Sequence, residues 1–320
     1  LGTAAPTKIS VRPARRGSPV NAWIGRFLDY LVLSAGRSAN TLAAYRLDLE
    51  QYSEFSHTRG LGHPNEIDAR LVGDFVASLS DRGLSAASVA RKLSAVRQFH
   101  RYLVREDVCR HNPARALRTP RRARHLPDIL SVRQVRDLLR HCADNTVRGR
   151  RDRALVSVLY GAGLRVSEAA GLKLDDIDFT DRFIRVRGKG GRERLTPFGD
   201  MTAAALRGYI EGSRSSTPDT RGCAHVFLGR QGHGISRMSI WRTVRRLALL
   251  SGIDRAFTPH TFRHSFATHM LEAGADLRAV QSILGHSSVT TTQIYTHLDR
   301  RHLRDVHSRF HPLGDATKSP

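Results

Sequence analysis

Between Thr119 and Pro127 the chain reads Thr-Pro-Arg-Arg-Ala-Arg-His-Leu-Pro. This segment constrains the fold more than any other, because proline lacks a backbone N–H, fixes φ and pushes its preceding residue out of the helical region. No helix crosses it, and the hydrophobic pattern differs on its two sides. From Val20 to Leu117 the period is helical throughout. A capping region at Ser38–Thr41 opens a helix with the apolar stripe Leu42, Tyr45, Leu49 and Tyr52. Leu71, Phe75 and Leu79 form the next stripe, which Gly83 ends as a C-cap. Ser85 or Ser88 caps a third, with Val89, Leu93, Val96 and Leu103 inside. The expectation is a bundle of about four helices over residues 20–118, a linker over 119–127 and a second domain over 128–312. A flexible basic arm (1–19) and a short tail (313–320) flank them.

The second half mixes helices with one strand-turn-strand signal. Phe183, Ile184 and Val186 lie in a β-prone run, Gly188-Lys189-Gly190-Gly191 makes the turn, and Arg192–Pro197 returns. The predicted class is mainly α with a small antiparallel sheet. A length of 320 residues suits two domains, each with its own core.

Charge narrows the partner. Lys and Arg number 52 against 29 Asp and Glu, a formal net charge of +23, which favours a polyanion and above all DNA or RNA. A membrane surface fits less well, since no basic tract flanks a long apolar run, and no segment approaches the ~18 apolar residues of a span. The first twenty residues lack a signal-peptide core. Cys109, Cys142 and Cys223 are far apart and make no metal-spaced pair. These readings place the chain in the cytoplasm, with reduced thiols. Arg91, Lys92 and Arg97 on the third stripe's helix, and Arg121 and Arg122 in the linker, are the expected DNA-binding cations, since few acids compensate them before Glu106.

Four segments carry the chemistry. In Thr258-Pro-His-Thr-Phe-Arg-His264, Thr258 is a good N-cap and Pro259 suits the first helical position. His260 then sits in the electropositive first turn as a hydrogen-bond acceptor or base, with Arg263 on the same face. Phe262, Phe266 and Met270 mark an opposite, buried face. The three histidines 260, 264 and 269 lack the spacing and glutamate of a helical zinc site, so no metal is expected. In Leu284-Gly-His286-Ser-Ser, Gly285 ends a helix. Tyr295 follows nine residues after His286. Upstream, Gly161-Ala-Gly-Leu-Arg165-Val-Ser-Glu168 turns Arg165 into a helix start.

Taken together and in this order, Gly-Leu-Arg165-Val-Ser-Glu168, the Gly-Lys189-Gly hairpin, His260-x-x-Arg263-His264, Leu-Gly-His286-Ser-Ser and Tyr295 resemble the tyrosine recombinase family, in particular its Xer type. Asn40-Thr-Leu-Ala-Ala-Tyr45 is similar to that family's core-binding domain. The resemblance spans about residues 20–312. It implies a helical core-binding domain and an α+β catalytic domain that form a C-shaped clamp on DNA. It also implies a site-specific recombinase in which Tyr295 is the nucleophile and a 3′-phosphotyrosyl ester is the intermediate. Arg165 and Arg263 would hold the phosphate oxygens, His286 would add a hydrogen bond, His260 would act as base and Lys189 as acid. Glu168 would orient the pocket. No cofactor, metal or ATP is implied, because guanidiniums stay charged and one phosphate ester replaces another. Two DNA recombination sites and a homo- or hetero-tetramer with a related recombinase follow as partners, with the last helix, carrying Leu303, Val306 and Phe310, docking on a neighbouring protomer. Resolution of chromosome or plasmid dimers is the expected role. A mobile-element integrase, a type IB topoisomerase and a catalytically silent DNA-binding module are the alternatives. The first often carries an extra N-terminal domain, for which there is little room here.

Overall fold

The computed structural model describes residues 20–35, 39–118, 129–188, 193–216, 222–229, 231–254, 257–285 and 297–314. Residues 1–124 and 125–320 form two compact units. The basic arm, the linker with Arg121 and Arg122, Lys189, His286 and Tyr295 lie outside the described residues.

The first unit is helical: α1 (Val20–Ala35), α2 (Ala39–His57), α3 (Ala69–Asp81) and α4 (Ala86–Arg105). Its caps follow the local chemistry. The carboxylate of Asp68 accepts from the Leu71 N–H at 2.8 Å and opens α3. Gly83, at φ +74°, closes it, with Gly83 N–H bonded to the Ser80 carbonyl and Leu84 N–H to that of Leu79. Ser85 then caps α4 through the Ser88 N–H. Leu49, Tyr52, Phe75, Leu79, Leu93, Val96, Phe99 and Leu103 are buried in one core with Trp23, Phe27 and Leu31 of α1.

The cationic face of α4 requires a correction. Asp48 on α2 is fully buried and pairs with both Arg91 and Lys92; the Lys92 ammonium lies 2.9 Å from Asp48 and 2.6 Å from Gln51 Oε1. Lys92 is only 4% exposed. It is a buried tie between α2 and α4, not a surface cation. Arg97 donates to the carbonyls of Ala114 and Leu117 and fastens the segment after α4. The acid that compensates this face lies some forty residues upstream rather than alongside it.

The second unit runs α5 (Val132–Arg140), α6 (Val147–Gly161), α7 (Val166–Gly171), β1 (Ile177–Asp178), β2 (Phe183–Arg187), β3 (Glu193–Pro197), α8 (Asp200–Tyr209), α9 (Arg237–Leu250), α10 (Pro259–Glu272), α11 (Leu277–Leu284) and α12 (His297–Phe310). The sheet is antiparallel in the order β1-β2-β3, with Phe183 opposite Pro197 and Arg187 opposite Glu193. The two-residue β1 adds a strand that sequence periodicity is too short to reveal. Helix α6 is central: Leu155, Val158, Leu159 and Tyr160 are buried on several sides at once. Phe262, Phe266 and Met270 of α10 are fully buried, each worth about 1.5–3 kcal/mol of burial.

Helix α12 packs against α10, α11 and β3 of its own unit. Leu303 and Val306 are 4% and 8% exposed and belong to the same core as Phe266. The stripe expected to face a neighbouring protomer is therefore satisfied within the chain. The cysteines are free, and among the described residues no helix is long and apolar enough to cross a membrane.

Candidate active site

The turn after α6 sets the site. Gly163 adopts φ +60°, and a Cβ there would meet Leu284 Cδ2 at 2.9 Å and Phe266 at 3.2 Å. Glycine both permits the left-handed turn and lets α10 and α11 approach it. Arg165 is then the N-cap of α7. Glu168, in the first turn, takes the Arg165 backbone N–H at 2.7 Å and its Nη1 at 2.8 Å.

Arg263 rises from the start of the second turn of α10. Thr258 stands at the N-cap of that helix and Pro259 at its first position, but the side-chain bond there is made by Thr261, whose Oγ1 accepts from the Thr258 N–H at 3.2 Å. Arg263 is 8% exposed, and its guanidinium donates to the Gly163 carbonyl at 2.7 Å and to the Leu284 carbonyl. Arg165 and Arg263, nearly a hundred residues apart in sequence, are thus fixed to the same turn and the same helix end. Burial, and then the charges of Arg165 and Arg194, push Arg263 down to about 9, which leaves it cationic at neutral pH.

The C-terminal end of α11 is where the elements meet. Gly285, at φ +64°, is its left-handed cap. The last carbonyls of a helix lack partners within it and carry partial negative charge. Here three successive ones accept from arginines of three different elements. Ile283 takes Arg194 Nε at 3.0 Å, Leu284 takes Arg263, and Gly285 takes Arg165 Nη2 at a long 3.5 Å. His286 is the next residue in the chain.

Arg194, on β3, was not anticipated. Its Nη1 and Nη2 donate to Glu168 Oε1 and Oε2 at 2.7 and 2.8 Å. Burial alone raises the Glu168 carboxyl, but the hydrogen bonds and charge of Arg194 and Arg165 outweigh it and bring it down to about 2. Three guanidiniums around one carboxylate leave an excess of positive charge, an arrangement suited to an anionic phosphate.

His260 is exposed, one turn before Arg263 on α10. Lys189 falls between β2 and β3, both of which are described. The structure therefore brings together Arg165, Glu168 and Arg263, adds Arg194, and places His260 on the helix that carries Arg263.

The model of the phage integrase family matches residues 128–302, and that of its N-terminal SAM-like domain matches residues 24–107. The chain is 41% identical over 304 residues to the tyrosine recombinase XerD of Chlorobaculum tepidum, covering 93% of this chain and 99% of that protein. It is 39% identical over 289 residues to the tyrosine recombinase XerD of Staphylococcus aureus, covering 90% and 98%. Among solved structures, the post-cleavage complex of the XerH site-specific recombinase with a palindromic difH substrate shares the fold. Its TM-score is 0.71 at 21% identity, over 92% of this chain and 98% of that one. The Tn1549 transposon integrase in complex with circular intermediate DNA gives 0.67 at 22% identity, over 89% and 99%.

Proposed function

The chain belongs to the phage integrase family and is a tyrosine recombinase, and from that premise we propose that it exchanges DNA strands at a defined site through Tyr295. The Tyr295 oxygen attacks the scissile phosphorus and the bond to the 5′ oxygen breaks. The product is a 3′-phosphotyrosyl ester and a free 5′ hydroxyl. The tyrosine proton passes to His260, and Lys189 gives a proton to the departing oxygen. Arg165 and Arg263 hold the non-bridging oxygens, with a further hydrogen bond from His286, as the phosphate gains negative charge. Reversal of the step by a different 5′ hydroxyl joins the strand to a new partner, and because ester replaces ester no ATP is consumed.

The observation that carries this reading is the joint anchoring of Arg165 and Arg263 on the turn at Gly163 and the end of α11. Both guanidiniums keep N–H donors beyond those used in holding themselves. The residues of the first unit (20–118) serve as a core-binding domain and those of the second (128–312) as the catalytic domain. The substrate is a pair of duplex recombination sites held by a tetramer of this chain, alone or with a related recombinase. The role is resolution of chromosome or plasmid dimers in the cytoplasm, and the relatives named XerD support it.

The test is covalent capture. Incubated with nicked duplex carrying its site, the protein forms an adduct that survives denaturant and is destroyed by protease. Tyr295→Phe abolishes it, and Arg263→Ala slows it about 10²–10³-fold. An adduct that persists in Tyr295→Phe refutes the assignment.

A further inference from the structure

Nothing in the chemistry of a short strand asks for a charged residue at position 194, yet Arg194 is buried and fully engaged. Its side chain is 8% exposed, and all three of its nitrogens are committed: Nη1 and Nη2 to the two oxygens of Glu168, Nε to the Ile283 carbonyl. Next to it, Thr196 Oγ1 donates to the same Ile283 carbonyl at 3.1 Å. Arg194 lies five residues after Lys189 on the strand that leaves the hairpin. Resting on the reading of Arg165 and Arg263 as the phosphate clamp, we propose that Arg194 is a positioning residue for strand cleavage. It orients Arg165 through Glu168, and it fixes the end of α11 that leads into His286.

The geometry makes one residue responsible for both. A carboxylate on a single guanidinium can rotate about its last torsion, which is broad. Arg194 grips both oxygens of Glu168, so the carboxylate plane is set and Arg165 Nη1, 2.8 Å from Oε1, has one place to go. The side chain of Arg165 is 37% exposed and has no comparable partner on its outer side among the hydrogen bonds described. The Ile283 carbonyl then ties the same guanidinium to the helix end. Gly285 makes room for this: a Cβ there would stand 2.6 Å from Arg194 Cδ. Glycine at 285 thus answers two demands, the left-handed cap and the stacking of Arg194 over it.

Charge and shape separate in the variants. Arg194→Lys keeps the cation but cannot grip two oxygens and a carbonyl at once. Arg194→Met keeps the length and loses both. The substrate that reports on Arg165 is a methylphosphonate, in which a methyl group replaces one charged oxygen and so removes the charge the clamp would hold.

The experiment uses the full chain. Nicked duplexes with a randomised segment are incubated with wild type, and the adducts are captured and sequenced to give a cleaved site. That duplex is then made with a phosphodiester or a methylphosphonate at the scissile position. Arg194→Met is expected to slow cleavage of the phosphodiester about 10²–10³-fold, the size of one lost oxyanion donor. It slows the methylphosphonate less than about tenfold, and Arg194→Lys falls between wild type and Arg194→Met. If Arg194→Met does not fold by circular dichroism, Arg194→Lys carries the test with the same difference between the two esters. Equal losses on both esters mean a merely structural residue and overturn the proposal, as does an unchanged rate. Failure of wild type to form any adduct overturns the Tyr295 reading and this proposal with it. A wild-type adduct lost in Tyr295→Phe upholds that reading whatever Arg194 does.

Discussion

Glu168 has both carboxylate oxygens saturated by arginines, and this has a consequence that can be titrated. Its folded carboxyl stands at about 2, below the ordinary 4.5. A depressed carboxyl stabilises the fold fully above its unfolded value and loses that contribution as pH falls toward the folded value. Wild type should therefore lose about 3 kcal/mol between pH 4.5 and 2 from this group, at roughly 1.4 kcal/mol per unit. In Glu168→Gln that part of the slope disappears, and the variant is already less stable at pH 7. Urea midpoints of both proteins at pH 7, 4.5 and 3 check this; parallel curves would deny Glu168 the role. The residues of the site divide by how their signal is written. Arg165, Glu168 and Arg263 are legible because they lie beside a glycine turn or a capped helix start. Arg194 is not, because a charge in a strand reads as solvent-facing until the parity of the strand is known. Only the structure shows that 194 and 196 face inward. Asp48 left a fainter trace. It lies at the spacing of the buried stripe, three residues after Tyr45 and four before Tyr52, and an acid at such a position calls for a buried cation.

At the level of elements, caps and stripes marked α2, α3, α4 and α10, and turn chemistry marked the hairpin. What could not be read was which face of α12 meets which neighbour. An apolar stripe says that something covers it, and in this chain the cover is its own unit. The contact has an unusual polar side. His307 Nε2 donates to the Gly161 carbonyl at 2.7 Å, and its ring stacks on His311 with ring centres 4.7 Å apart and lies against Phe266. Tyr160 meets His311 and bonds His269 of α10 at 2.8 Å. Burial lowers His307 to about 4, and also lowers His269 and His311. The sign is fixed by linkage. Below pH 6.5 the unfolded chain binds a proton at His307 that the folded one refuses until about 4, so stability falls on acidification across that window. The loss from His307 alone is up to about 3 kcal/mol. His307→Gln retains a donor for Gly161 and does not titrate, so its stability should vary less between pH 7 and 5 than that of wild type. Urea unfolding at the two pH values decides it, and equal pH dependence would show that His307 plays no part.

At the scale of the whole molecule, the two cores of the described residues share no residue, one within Val20–Ala114 and one within Leu130–Leu313. The proline-bracketed segment between them was readable as a break for that reason: neither helical period nor apolar stripe crosses it. The net charge of +23 was equally readable as a preference for polyanions, but its distribution was not. Lys92 and Arg97 are spent inside the first unit, while Arg101 beside them on α4 is exposed. Total charge therefore overstates the number of phosphates the chain can neutralise, and salt dependence measures the true one. Each phosphate contact releases condensed counterions and contributes about −0.9 to the slope of log affinity against log salt. If the chain grips duplex DNA with some six to ten such contacts, affinity should fall about 10³–10⁵-fold between 50 and 200 mM salt. Arg101→Ala should make the slope shallower by about one unit if Arg101 meets a phosphate. Arg97→Ala should lower stability through its lost backbone carbonyl contacts and leave the slope unchanged. Fluorescence anisotropy of labelled duplex across a salt series, with both variants, tests the partition directly. A shallower slope in Arg97→Ala would mean that its guanidinium leaves Ala114 and Leu117 to reach DNA.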